Sequence, residues 1–120
     1  MQSKYRPQIM ELWEMMQMKR SREPNDAFSE YKYHTVICQS DDGSVTASSE
    51  DLDIVVGAYT EEEACLRLAK AIFDYSREFC ANYSHYSNMP VGREQMPYVV
   101  KAILLGCPEN IIPEMVIKKL

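Results

Sequence analysis

The chain has 120 residues, enough for one modest core, and its 46% apolar and 26% charged residues are ordinary usage for a globular protein. A net charge of -5 argues against a protein whose main task is gripping phosphate backbones and suits a basic partner. No uncharged run approaches the ~18 residues of a membrane span, and the first twenty residues lack the apolar block and cleavage site of a secretory leader. The expected location is therefore the cytoplasm.

Pro7 to about Arg20 reads as a helix, with Ile9, Leu12, Trp13 and Met16 on one face and Pro7 suited to a first helical position. Met10, Met15 and Met18 spill onto other faces, which suits either flexible core filling or docking on a second chain. Lys19, Arg20 and Arg22 follow, either as a solvated helix end or as a nucleic-acid contact, before a turn-rich stretch through Pro24. Tyr31 to Gln39 is rich in β-branched and aromatic residues and predicts a strand. Asp41-Asp42-Gly43-Ser44 is a turn signal, and Val45–Ser49 returns as a second strand. Leu52–Ala58 is either a third strand or the second strand's continuation past a bulge.

Thr60-Glu61-Glu62-Glu63 has the form of a capping box: the Thr60 hydroxyl accepts from the Glu63 N–H, and the Glu63 side chain reaches back. Behind it Cys65, Leu68, Ile72, Tyr75 and Phe79 recur every three or four residues, predicting an amphipathic helix from about Glu61 to Asn82 that packs on the sheet. Tyr83 to Gly92 reads as irregular. A further helix is expected from about Arg93 or Pro97, lined by Met96, Val99, Val100, Ile103 and Leu104 and stopped by Gly106. Ile111–Leu120, which contains Pro113, fits a short helix or a last edge strand. The fold class is thus α+β: an antiparallel meander of about three strands, one long packing helix, and a helix at each end. Residues 1–24, 31–83 and 84–120 are expected to be an N-terminal helix, a core and a C-terminal extension of one domain.

Residues with chemical potential are few. Cys38, Cys65, Cys80 and Cys107 show no C-x-x-C spacing, so four reduced cysteines acting as small hydrophobes are expected rather than a metal or redox site. Asp41 and Asp42 suit a turn better than a metal, and Glu61–Glu63 suit a helix start. His34 in a strand and His85 in a Tyr/Ser-rich stretch lie in no catalytic motif. No phosphate-binding loop, dinucleotide fingerprint or H-E-x-x-H is present. A non-enzymatic binding domain without cofactor or metal is the expectation. The competing readings are a ribonuclease or other hydrolase, and a nucleic-acid-binding regulator.

The stretch Tyr33–Phe79 resembles the HicB-like antitoxins. It carries their strand, Asp42-Gly43 turn, second strand, Asp51-Leu52 and short strand, and then Gly57-Ala58-Tyr59-Thr60-Glu61-Glu62-Glu63-Ala64 opening the long helix. The resemblance extends to a subgroup of small antitoxin-like proteins through Tyr86-Ser87-Asn88-Met89-Pro90, Arg93 and Pro97-Tyr98-Val99-Val100. The chain departs from the pattern where Asp53-Ile54-Val55-Val56 stands in place of a Pro-Gly segment. No ribbon-helix-helix or helix-turn-helix pattern follows Phe79. The resemblance implies direct neutralisation of a small basic toxin, a homodimer, and partner contacts through Tyr86, Asn88, Pro90, Arg93 and Tyr98. Partner binding rather than operator binding is the expectation.

Overall fold

The computed structural model describes residues 28–120. The expected helix over Pro7–Arg20 and the basic group Lys19, Arg20 and Arg22 lie outside the described residues. Strands β1 (Tyr33–Gln39), β2 (Val45–Ser49) and β3 (Ile54–Ala58) form the antiparallel meander, with Ile37 opposite Ala47 and Ala47 opposite Val56. Helix α1 (Glu61–Ala81) follows, then the short α2 (Tyr83–Ser87) and α3 (Pro90–Leu105). Two single 3-10 turns, Pro108–Asn110 and Ile112–Glu114, lead into β4 (Met115–Lys119). β4 lies parallel to β1, so the sheet has four strands in the order β3-β2-β1-β4. The last segment is therefore a strand and not a helix.

Alternation decides which face is buried. Tyr33, Thr35 and Ile37 of β1 and Val45, Ala47 and Ser49 of β2 point inward. α1 covers them with Ala64, Cys65, Leu68, Ala69, Ile72, Ser76 and Phe79. Full burial of Leu68, Ile72 and Phe79 contributes about 1.5–3 kcal/mol each. The polar members of this face are satisfied locally: the Thr35 hydroxyl donates to the Tyr33 carbonyl at 3.0 Å and Ser76 to that of Ile72 at 2.7 Å. α3 closes the same core with Val99, Val100 and Ala102, and Ile111 fills it from the turn.

The local turns follow their sequence. The Asp42 carboxylate accepts from the Ser44 N–H at 2.9 Å and from its hydroxyl at 2.6 Å, while Gly43 takes φ +89°. Those bonds hold the exposed Asp42 carboxyl below its ordinary range. Asp53 adopts φ +55° in the second turn, so β3 is a separate strand and not an extension of β2. Gly106 stops α3 in the left-handed region, its N–H reaching the Ala102 and Ile103 carbonyls.

Three boundaries differ from expectation. Only half of the capping box forms. The Thr60 hydroxyl accepts from the Glu63 N–H at 3.1 Å, but the Glu63 carboxylate reaches forward to Arg67 at 3.3 Å. Arg67 is itself anchored on the Gly57 carbonyl at 2.9 Å, which holds it within reach of Glu63. Residues 83–87 are helical and not irregular. α3 begins at Pro90, leaving Pro97 inside it. Both prolines suit a first helical position, but an extended Met89 precedes Pro90, as the steric demand of proline's ring requires.

Candidate partner-binding surface

The residues expected to contact a partner fall in two neighbourhoods. The first is the elbow between α2 and α3. α1 ends at Asn82, whose N–H bonds to the Glu78 carbonyl at 3.0 Å and whose side-chain amide donates to the same oxygen at 3.0 Å. The Asn82 carbonyl then accepts the N–H groups of His85 and Tyr86, which starts α2 at once. Asn88 closes α2 by donating its side-chain amide to the Ser84 carbonyl at 2.8 Å, and Pro90 opens α3 two residues later.

Tyr86 supports this elbow from within. Its ring stacks on Phe79 with centroids 4.7 Å apart and planes 14° from parallel, and meets Tyr75 and His85 edge-on. Tyr75 donates its hydroxyl to the buried Gln95 amide oxygen, which ties α1 to α3. Burial pushes the Tyr75 phenol up. Gly92 is indispensable here. A Cβ at this position would lie 1.8 Å from the Tyr86 carbonyl oxygen and 2.7 Å from its carbon. Asn88, Pro90 and Arg93 are exposed around this packed centre, together with two apolar side chains, Met89 and Val91.

Tyr98 belongs to the second neighbourhood. Its ring meets Tyr31 edge-on at 5.5 Å and tilts against Tyr33 at 6.1 Å, and its carbonyl accepts from the Tyr33 hydroxyl at 2.8 Å. Desolvation, then the Asp51 carboxylate as neighbour and hydrogen-bond acceptor, raises the Tyr98 phenol. Asp51 also accepts from the His34 N–H at 2.7 Å and lies 3.2 Å from His34 Nδ1. The Tyr33 phenol is pushed far up by burial and then by Glu114. The five residues are thus not one contiguous set: Tyr98 faces β1, and the other four surround the elbow.

Sequence reasoning overlooked the polar clamp beneath Tyr98. The buried Lys101 amine lies 2.6 Å from Glu114 Oε1, donates to the Tyr31 carbonyl at 3.0 Å and sits 5.8 Å from the Tyr33 ring centroid. Lys32 shares the same Glu114 oxygen at 3.0 Å. Hydrogen bonds from Lys101 hold the Glu114 carboxyl below its ordinary range. The available signal was one lysine inside the apolar run Val99-Val100-Lys101-Ala102-Ile103-Leu104-Leu105. Exposed Met89 and Val91 were also overlooked, because single apolar residues beside a proline carry no pattern.

Burial pushes the Cys80 thiol up to about 12 and also raises Cys65, so these two behave as small apolar groups. Among the described residues, no group of three or more His, Cys, Asp or Glu side chains is placed to hold a metal ion. Among them also, no helix is long and apolar enough to cross a membrane.

Residues 5–116 match the family model of the PHD-like antitoxins, described as the antitoxin of RelE/RelB toxin–antitoxin systems. The chain belongs to this antitoxin family. Membership implies a toxin as its protein partner. The family model is of the RelE/RelB type and so supports the antitoxin class, not the narrower HicB-like subtype. No curated protein matches the chain significantly. The fold is similar to a crystal structure from Syntrophomonas wolfei subsp. wolfei, described as an antitoxin part of a proposed toxin/antitoxin system. That match has TM-score 0.74 and 20% identity over 80% of this chain and 69% of the other. At that identity the likeness bears on architecture alone.

Proposed function

We propose that this antitoxin-family chain neutralises a small, basic toxin by direct contact at the α2–α3 elbow, as a cytoplasmic binder and not as a catalyst. The observation that carries the reading is the pairing of a braced backbone with an apolar exposed surface. Met89 and Val91 stand exposed beside Asn88, Pro90 and Arg93, while Tyr86 and Gly92 pack the elbow from behind. A preorganised apolar patch rimmed by polar groups suits a protein partner, since little ordering entropy is lost on docking. The net charge of -5 favours encounter with a basic protein. Within the antitoxins, the HicB-like subtype is supported by the Asp42-Gly43 turn and the Thr60-capped helix. Tyr98 contributes through the fold and not as a contact, because its ring is engaged by Tyr31 and Tyr33.

The test is co-expression with a small basic toxin, scored by relief of growth arrest and by titration of the purified pair. Met89→Asp with Val91→Asp is expected to weaken binding at least ~30-fold, as loss of a central apolar anchor does, with helical content unchanged. Undiminished neutralisation by this double variant would exclude the elbow as the contact surface. Relief of arrest without complex formation would exclude direct contact altogether.

A further inference from the structure

The elbow carries a sulfur on its open side. Met89 joins α2 to α3 with extended backbone, φ -98° and ψ 137°. That backbone is bonded on both sides. The Met89 N–H donates to the Tyr86 carbonyl at 3.1 Å, and the Met89 carbonyl accepts from the Arg93 N–H at 3.2 Å. The side chain is 44% exposed, two residues before the equally open Val91. The other methionines among the described residues, Met96 and Met115, are half-buried and packed against the core. A thioether has no proton to lose before it reacts, so access to oxidant decides which of the three is attacked. The thiols of Cys65 and Cys80 are buried and held protonated, which makes them inert. Cys38 is exposed but lies on β1, outside the elbow.

We propose that Met89 is a reversible oxidation site, at which a peroxide converts the thioether of the unbound chain to the sulfoxide and so switches off toxin binding at the elbow. The inference rests on the reading of the elbow as the toxin contact. The chemistry is a two-electron oxygen transfer. The sulfur lone pair attacks one peroxide oxygen, the O–O bond breaks, and both peroxide hydrogens leave on the other oxygen as water. A methionine sulfoxide reductase reverses the step: two thiols become a disulfide and the sulfoxide oxygen leaves as water. The switch works through polarity. A sulfoxide is a hydrogen-bond acceptor, and burying it against an apolar partner surface with no donor is unfavourable. The bonds to Tyr86 and Arg93 fix the backbone while the side chain stands outside the core. Oxidation therefore alters the surface and leaves the fold in place. A toxin seated on the elbow covers the sulfur, so the complex is the protected form and the free chain the reactive one.

The test treats the full chain with hydrogen peroxide and follows each methionine by peptide mass spectrometry. Met89 should oxidise ahead of Met96 and Met115. Titration against a RelE-type toxin that the unmodified chain neutralises should then show binding weakened about tenfold. Met89→Gln, a neutral polar side chain of similar length, should bind more weakly without peroxide and melt with the unmodified chain. Met89→Leu, compared with itself before and after peroxide, should lose no affinity on treatment. A sulfoxide reductase supplied with dithiothreitol should restore the oxidised chain, and dithiothreitol alone should not. Oxidation of Met96 or Met115 before Met89 would overturn the switch without reference to any toxin. So would a loss on peroxide treatment that is as large in Met89→Leu, or recovery with dithiothreitol alone, which would place the chemistry on a cysteine. If Met89→Asp with Val91→Asp weakens binding and the sulfoxide does not, the elbow reading stands and the switch falls. If neither weakens it, both fall.

Discussion

From Tyr33 to Ala81, each element is joined to the next by a turn whose own residues specify it. Asp42-Gly43-Ser44 closes the first hairpin, Asp53 turns the second, and Thr60 caps the helix that follows. From Asn82 to Lys119 the elements are held by residues far away in the chain. Tyr33 reaches Tyr98 across 65 positions, Lys101 reaches Tyr31 across 70, and Lys32 reaches Glu114 across 82. The first region shows how local chemistry selects a conformation. The second shows that a segment with weaker local signals is placed by a few buried polar and aromatic tie points, each costly to remove.

The largest expected effect is at the elbow. Gly92→Ala forces a methyl group onto the Tyr86 backbone, which cannot swing aside as a flexible side chain would. A loss of about 3 kcal/mol is expected, on the order of 10 °C in melting temperature. Gly57→Ala in the meander is the control, because a Cβ there has nothing within 4 Å. It should change stability by less than about 0.5 kcal/mol. Equal melting of the two variants would mean that α3 does not approach α2 as closely as described.

Lys101→Met tests the clamp under β4. It leaves Glu114 with Lys32 alone and the Tyr31 carbonyl without its donor, at a cost of about 2–3 kcal/mol by urea denaturation. The pH dependence has a definite sign. The Glu114 carboxyl is lowered in the folded chain, so its contribution is fully present above the ordinary carboxylate range and is lost as pH falls through the lowered value. Acid should therefore narrow the gap between the unmodified chain and Lys101→Met. A gap that stays constant down to pH 3 would show that the clamp acts through packing and not through charge.

The same contrast explains what could be read in advance. The meander, the α1 stripe and the Gly106 stop were legible because each depends on residues a few positions apart. β4 was not, because a five-residue strand next to Pro113 has no periodicity to separate it from a helical turn. Its place is decided by β1, more than 75 positions earlier. Pro97 misled for a related reason. A proline marks a helix start in isolation, but α3 tolerates it internally while Gly92 and the Tyr75–Gln95 bond hold the preceding turn against α1 and α2. Of the candidate contact residues, Asn88, Pro90 and Arg93 could be named from their motif, but their position around a helical elbow could not, because Tyr83–Gly92 carries no periodicity. That Tyr98 turns away toward Tyr31 and Tyr33 depends on tertiary packing alone.

The smallest expected effect probes the local region on its own terms. Thr60→Ala removes a cap on the first turn of α1 and should cost about 1 kcal/mol. Glu63→Ala discriminates between two ways of finishing that turn. If Glu63 returned to the Thr60 N–H, its loss would cost about as much as the cap itself. In the structure it pairs instead with Arg67, an exposed i,i+4 contact worth at most ~0.5 kcal/mol. A small loss for Glu63→Ala beside a larger one for Thr60→Ala is therefore expected by thermal denaturation. Comparable losses would mean that the reciprocal bond forms in solution and that Arg67 guards the β3 edge without drawing Glu63 away from the cap.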